Sequence, residues 1–483
     1  MLKVSLIIAL VLTSFGGAAE QPNIVFILAD DMGFDSVSAN NPAIGGMKTP
    51  NIDDLISQGM NFTDAHSGSA VCTPTRYGLL TGRHCWRSRL KRSVLWEYGR
   101  PLIEKDRQTV SSFLSENGYQ TGMIGKWHLG LHWHDKDGNV ANDINEDADS
   151  YFNAGEQRIA TVSAKIDFSQ AVSGGPTAIG FDYWFGMDAP NFPPYTWIEN
   201  ETVLGHLVTT KPEKIFGHPG PMVEGWKLED ILPTLGKKSA EYIIKASKKD
   251  QPFFLYVPLT SPHTPISPSA DWKGKSGITH YADFVMETDA IVGQIMNAIE
   301  NAGNANNTIV IFSADNGTSS YGRQIAELKS HGVDINQHFR GHKTQIHEGG
   351  HRVPFVVRWP GITPAGTTSN QVICLTDFFA TVADILGQQL PEDSGEDSYS
   401  ILPLLTGKAD ALPNRNLVIN HDLGGNFAIR KDEWKLVPKD KTVALYNLSV
   451  DPKETTDLSR DYPEIVQELT NTLETYKTQG RSR

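Results

Sequence analysis

The chain has 483 residues, 39% of them hydrophobic and 20% charged, with 43 Lys and Arg against 56 Asp and Glu, a net charge of −13. Ordinary apolar content with mixed charges excludes a disordered chain, and a single core stops growing at roughly 250–300 residues, so two unequal domains are expected. The acidic balance and the lack of a long basic tract exclude nucleic acid or an anionic membrane as main partner; an anionic ligand has to be met by a local cluster of positive groups.

Residues 1–19 read as a signal peptide, with Lys3, an apolar run at 4–12, and Gly16, Gly17, Ala18 and Ala19 after it. Export to the periplasm or secretion is therefore expected. That run is too short to span a bilayer, and no later stretch is long enough. Residues 23–29, Asn23 followed by six apolar residues, read as a central parallel strand buried on both faces, and similar runs recur at 253–257, 308–312 and 354–358. Helical patterns lie between them, at 109–117 before Gly118, 281–302 before Gly303 and 377–386 before Gly387. The stretch 131–235, rich in His, Asp, Asn, Pro and aromatics, reads as long inserted loops that build a binding rim. Short strands at 416–419, 427–430, 434–437 and 442–446 precede a helix with Ile465, Leu469, Leu473 and Tyr476 on one face. The expected fold is α/β, with a large mixed, mostly parallel sheet flanked by helices and a smaller C-terminal antiparallel sheet plus helix. The main domain is placed at 20–389, with its insert at 131–235, and the small subdomain at 390–483.

Two acidic residues, Asp30 and Asp31, follow the first strand directly, and Asp315 and Asn316 follow another. Ligands of open α/β sheets bind at the carboxyl ends of strands, so both pairs fall on one edge. Carboxylates with an amide oxygen are hard ligands that suit Ca²⁺ or Mg²⁺ and not zinc. Either pair alone reads equally as a helix cap or turn. Only three cysteines occur, Cys72, Cys85 and Cys374, too few for a disulfide scaffold. In Cys72-Thr-Pro74-Thr-Arg76, Pro74 fits a first helical turn. Cys72 then sits at a helix N-terminus, where free N–H groups favour negative charge, with Arg76 one turn on.

The run from Cys72 to Arg76, followed by Leu80-Thr-Gly-Arg83, resembles the formylglycine motif of the type I sulfatases, of the alkaline-phosphatase superfamily. Five more segments resemble that family in order: Asn23 to Asp31, Gly125-Lys-Trp-His-Leu-Gly130, Phe254 to Pro265 with Ser261-Pro-His263, Ala314-Asp-Asn-Gly317, and Arg340 to Pro354. Trp434-Lys-Leu, Leu445-Tyr-Asn-Leu448 and Asp451-Pro-Lys-Glu454 resemble its small C-terminal domain. The resemblance implies an alkaline-phosphatase-like fold and hydrolysis of sulfate esters, on a sulfated small molecule or glycan. It implies one divalent cation, usually Ca²⁺, on Asp30, Asp31, Asp315, Asn316 and residue 72, with Cys72 converted to formylglycine by a formylglycine-generating enzyme. Arg76, Lys126, His128, His263 and Lys343 would surround the sulfate. The hydrated aldehyde would attack sulfur with help from Asp315, His263 and Lys343 would protonate the leaving alcohol, and His128 would take the proton that releases sulfate.

Two alternatives stay open from the residues: a phosphate or phosphonate ester hydrolase of the same superfamily, and a non-catalytic binder of sulfated glycan. Phe181, Tyr183, Trp184, Phe185, Phe192, Tyr195 and Trp197 lie close together in the insert and suit stacking on sugar rings. A galactose-type or N-acetylgalactosamine-type sulfate is the expected substrate.

Overall fold

The computed structural model describes residues 21–142, 155–412, 414–439 and 441–483. Residues 1–19, expected to be a signal peptide, lie outside the described residues, as does part of the 131–235 stretch. In chain order the main elements are β1 (Asn23–Ala29), α1 (Pro50–Gln58), β2 (Met60–Phe62), α2 (Cys72–Thr81), α3 (Val110–Glu116), β3 (Gln120–Lys126), β4 (Tyr183–Met187), β5 (Ile198–Glu199), β6 (Thr202–Val203), α4 (Ile231–Ala246), β7 (Phe253–Pro258), α5 (His280–Asn301), β8 (Thr308–Ala314), β9 (Phe355–Arg358), β10 (Thr367–Ser369) and α6 (Phe378–Ile385).

These strands form one sheet in the order β10-β2-β9-β8-β1-β7-β3-β4-β5-β6. β1 lies in the middle, parallel to both β7 and β8, with Val25 opposite Leu255 and Val310. Its side chains alternate between two cores. Ile24, Phe26 and Leu28 pack with Tyr77, Phe113 and Phe378, whereas Val25, Ile27 and Ala29 pack with Ile52, Leu235 and Ile295. Helices therefore cover both faces, which is why the strand reads as uninterrupted apolar sequence. The expected helices form with the expected stops. α3 opens on a reciprocal Thr109–Ser112 capping box and is followed by Gly118 at φ 86°.

The structure differs from the expectation in two places. β9 is antiparallel to β8, although its sequence looks like that of the parallel strands. A fully apolar run reports burial on both faces and carries no information on direction. Within the stretch expected to be loops, β4 extends the sheet parallel to β3. Several of its aromatics serve that strand: Phe181, Trp184 and Phe185 are buried, and Phe185 stacks on Trp197 at 4.9 Å. Phe181 likewise stacks on Phe254 at 5.9 Å. These pack the enlarged sheet rather than offer faces to a sugar, whereas the Phe192 ring lies beside the site, 5.5 Å from that of His128.

The C-terminal strands β11 (Leu417–His421), β12 (Phe427–Lys431), β13 (Trp434–Lys439) and β14 (Thr442–Asn447) form an antiparallel meander, followed by α7 (Pro463–Gln479). α7 covers one face, where Leu469 and Leu473 meet Ile419, Ile429 and Leu436. The other face packs Val437, Ala444 and Tyr446 on Ile346 of the main domain.

The Phe26 ring makes edge contacts with Tyr256, Phe355 and Phe378 at centroid distances of 6.3, 6.4 and 4.8 Å. Phe26→Ala leaves a cavity between three rings in a fully buried strand. It should cost about 3–5 kcal/mol, read as a lower urea midpoint at unchanged slope.

Candidate active site

The carboxyl ends of β1, β3, β7 and β8 meet at one edge of the sheet. Backbone bonds close them together: Asp30 N–H donates to Ser261 O at 2.9 Å, and Asp315 N–H to Ala29 O at 3.1 Å. Asp31 is left-handed at φ 64°, which turns its N–H onto Asp315 Oδ1 at 3.1 Å. Gly125 has φ 140°, and a Cβ there would lie 1.9 Å from Pro258 O, so only glycine lets β3 deliver Lys126 this close to β7.

Three cations and one histidine converge on these acids. Lys126 Nζ is 2.6 Å from Asp30 Oδ2, and Lys343 Nζ is 2.6 Å from Asp31 Oδ1. Arg76 donates through Nε and Nη2 to Asp315 Oδ2 at 3.0 and 2.7 Å, and through Nη1 to Lys126 O at 3.1 Å. His263 Nε2 lies 3.8 Å from Asp31 Oδ2. Burial alone would raise the Asp30 carboxyl, but Lys126, His263, Arg76 and Lys343 together hold it far below the ordinary carboxylate range. Burial and the Asp30 charge push its neighbour Asp315 up to about 7, against Arg76 and Lys126.

Cys72 opens α2, with extended Val71 before it and Pro74 in the first turn, as the sequence suggests. All three cysteines are free and buried. Burial pushes the Cys72 thiol above its ordinary range, with Lys126 and Lys343 acting in the opposite direction. An unmodified thiol here is not poised as a thiolate nucleophile.

The acids leave an unmet demand. Asp30 Oδ1, Asp31 Oδ2 and Asn316 Oδ1 are buried without a hydrogen-bond donor among the described residues. Asn316 Nδ2 is spent on Asp31 Oδ1 at 2.8 Å and Gly317 O at 3.0 Å. Three open, hard oxygens from two strand ends fit a divalent cation. Asp30, Asp31 and His263 also bring ligand atoms within 4.8 Å of one another. Both oxygens of Asp315 are already engaged, by Arg76 and by the Asp31 N–H. A second acid–histidine group, His66, Glu348 and His351, has the same spacing. There the space is taken by Lys435 Nζ, 2.8 Å from Glu348 and 3.2 Å from His351, so it is a charge network and not a cation cradle.

His128 is also left-handed, at φ 53°, and its N–H donates to Asp188 O at 3.1 Å. Its Nε2 lies 2.9 Å from Leu95 O. A carbonyl only accepts, so Nε2 carries the proton and Nδ1 keeps its lone pair. Nδ1 is buried and without a partner among the described residues. Burial, then Lys126 and Arg76, hold the ring well below the ordinary histidine range, so it is a neutral base. His263 Nδ1 donates to Thr264 O, and burial with Lys343 lowers that ring to about 4.

The sulfatase family model matches residues 22–388, most of the chain, and a model of the N-sulphoglucosamine sulphohydrolase C-terminal region matches 337–479. The chain belongs to the sulfatase family. An N-acetylgalactosamine-6-O-sulfatase of Bacteroides thetaiotaomicron is 31% identical over 96% of this chain and 94% of its own length. Mouse arylsulfatase G is 30% identical over 81% of this chain and 70% of its own. A solved structure from a Bacteroides thetaiotaomicron locus for the metabolism of multiple glycosaminoglycans superposes with a TM-score of 0.80 at 31% identity, covering 95% of this chain and 100% of that one. The protein is a sulfuric ester hydrolase.

The structure thus brings all ten residues singled out from the sequence to one edge of the sulfatase sheet. It adds Asp188, which the sequence reading passed over. Its carbonyl fixes His128, and its buried Oδ1 has no donor among the described residues. Burial lifts its carboxyl to about 7, against Lys126. The signal for it was its place just after β4, an element the sequence reading took for a loop.

Arg76 reaches Asp315 and Lys126 O with three N–H groups in a planar fork, which a lysine cannot reproduce. Arg76→Lys keeps the charge and should still lower the sulfatase kcat/KM by about a hundredfold with the fold intact, measured by steady-state sulfate release beside circular dichroism.

Proposed function

We propose that this sulfatase hydrolyses sulfate esters of carbohydrates, with Cys72 converted to formylglycine and one Ca²⁺ held by Asp30, Asp31, Asn316 and Asp315 beside residue 72. The observation that carries the reading is the set of three donor-free oxygens at Asp30, Asp31 and Asn316, ringed by Arg76, Lys126 and Lys343, at the end of the sheet where α2 presents Cys72. The carbohydrate class rests on the N-acetylgalactosamine-6-O-sulfatase relative. A leader at 1–19 would route the chain out of the cytoplasm, with a formylglycine-generating enzyme acting on it during maturation.

A bound calcium ion would supply Lewis acidity toward the sulfate oxygens and compensate the clustered carboxylates. An aldehyde at residue 72 would supply, as its hydrate, one hydroxyl to attack sulfur and a second whose deprotonation expels sulfate; plain Cys or Ser lacks the second. The remaining work falls to the chain's own side chains. Arg76, Lys126 and Lys343 balance charge that grows on the sulfate and bridging oxygens as the S–O bond breaks. Lys343, paired with Asp31, would supply the proton that a leaving alkoxide needs; His263, neutral with its proton held on Thr264 O, would share in that work only once a bound sulfate had drawn a second proton onto its Nε2. His128 offers the Nδ1 lone pair as base for release of sulfate.

Calcium should raise the melting temperature of EDTA-stripped protein, by about 2.7 kcal/mol of added stability at a hundredfold excess over Kd, and restore turnover better than zinc. The Asp30→Asn/Asp31→Asn variant should show no calcium-dependent shift in the same thermal scan. Full activity in verified metal-free protein would remove the cation from the reading.

Cys72→Ser should be folded yet lose at least about a thousandfold in turnover, accumulating up to one sulfate on residue 72. Intact-peptide mass spectrometry after incubation with N-acetylgalactosamine 6-sulfate reads this directly. In the parent protein the same peptide should carry the lighter aldehyde. Sustained turnover by Cys72→Ser would make the aldehyde unnecessary.

A further inference from the structure

Lys343 sits on a loop, residues 340–348, whose shape is set from outside the main sheet. Thr344 is left-handed at φ 78°, an unfavourable state for a β-branched residue. Its N–H donates to Ala70 O at 2.8 Å, and its carbonyl accepts from Leu423 N–H at 3.3 Å. Ile346 is buried in the face of the C-terminal sheet, among Val437, Ala444 and Tyr446.

Two buried residues of the C-terminal region grip the loop at both ends. Lys435, on β13, donates to Ile346 O at 3.1 Å and to Glu348 Oε1 at 2.8 Å, and lies 2.9 Å from Glu454 Oε1. Glu454 Oε2 accepts Glu348 N–H at 2.7 Å, and the Glu454 carbonyl accepts Arg340 Nη1–H at 2.8 Å. The loop closes on itself between those points, Gly349 N–H donating to Arg340 O at 2.7 Å. The side chains of Lys435, Glu348 and Glu454 are 1%, 1% and 0% exposed. Arg352 Nη2, 2.5 Å from Glu348 Oε2, brings the group to two cations and two anions.

We propose that Lys435 and Glu454 are positioning residues of the sulfatase reaction. Through the loop 340–348 they hold the Lys343 ammonium against Asp31, so the C-terminal sheet takes part in delivering the leaving-group proton. The inference rests on the role given above to Lys343. Neither residue touches Cys72 or its surrounding cations; their partners are the backbone and acids that define the loop, with His351 beside Lys435 and His347 beside Glu454. A buried ion pair of this kind is a poor source of stability compared with apolar packing, but it fixes geometry at both ends of a segment at once.

The test uses the full-length, calcium-supplemented enzyme and aryl sulfates from 4-nitrophenyl to phenyl, which need increasing help in expelling the leaving oxygen. Lys435→Met/Glu454→Gln removes one charge of each sign and keeps the buried group balanced. It should lower kcat on phenyl sulfate by about 10–100-fold, with a much smaller loss on 4-nitrophenyl sulfate and KM little changed. Placed on Lys343→Ala, it should add almost no further loss, because both changes disable one group. Equal losses across all leaving groups, or effects that multiply with Lys343→Ala, would overturn the proposal and leave the pair as structural support. A flat leaving-group response in Lys343→Ala alone would instead overturn the role of Lys343, and this inference with it. If circular dichroism shows the paired variant unfolded, Arg340→Ala, at an exposed residue, carries the test. A smaller loss of the same leaving-group-dependent kind is then expected, and a uniform one would overturn the proposal.

Discussion

The register of β1 against β8 is the constraint on which the site depends. Ala29 lies opposite Ala314 in parallel pairing, so the residues that follow, Asp30 and Asp315, are forced together where both strands end. Both are 0% exposed and Asp31 is 1% exposed, and carboxylates so buried are costly unless paired. A slip of one residue would carry Asp315 to the other face and dissolve the cluster. The bonds where the strands end, Asp315 N–H to Ala29 O and Asp31 N–H to Asp315 Oδ1, hold the register against that slip. The large core thus works mainly as a device for holding three acids where water would otherwise be preferred.

The cations answer this demand only in part. Lys126, Lys343 and Arg76 each take an oxygen they can reach from their own element, β3, the 340–348 loop and α2. None of them reaches Asp30 Oδ1, Asp31 Oδ2 or Asn316 Oδ1. More side-chain donors would crowd the space into which Cys72 faces the strand ends, whereas a small hard cation satisfies several oxygens at a single point. The site's chemistry follows from this division. Charge balance falls to residues with fixed hydrogen bonds, and the open oxygens remain for a group with no side chain of its own.

Much of this was legible in the sequence because it is local. Six apolar residues before Asp30 announce a doubly covered strand, and Cys72, Pro74 and Arg76 within five residues announce a helix N-terminus with a cation one turn on. What the sequence hid is long-range or directionless. The reversed β9 has the same composition as its parallel neighbours. The strand β4 sits among aromatics that look like a ligand rim and are spent on packing instead. Glu348, Lys435 and Glu454 come together across 87 and 106 positions of chain, with no period to connect them. Their segments carried the family resemblance, but resemblance gave them no task.

Three non-glycine residues near the site hold left-handed backbone: Asp31, His128 and Thr344. Each would cost of order 1–3 kcal/mol if nothing held it. Each is held by a hydrogen bond from its own N–H to a different part of the chain: Asp31 to the end of β8, His128 to the end of β4, and Thr344 to the segment just before Cys72. That segment is pinned in turn by the C-terminal sheet, Ala70 N–H donating to His421 O at 2.9 Å and Asn420 Nδ2 to Ser67 O at 2.7 Å. The strained positions are therefore the junctions at which separate elements fix an acid, a base and a lysine relative to residue 72. A site that must stabilise charge developing on a small, symmetric anion gains most from dipoles and cations that do not reorganise during the reaction. Strain held from several directions secures this, because no single element can relax without breaking its bond to another.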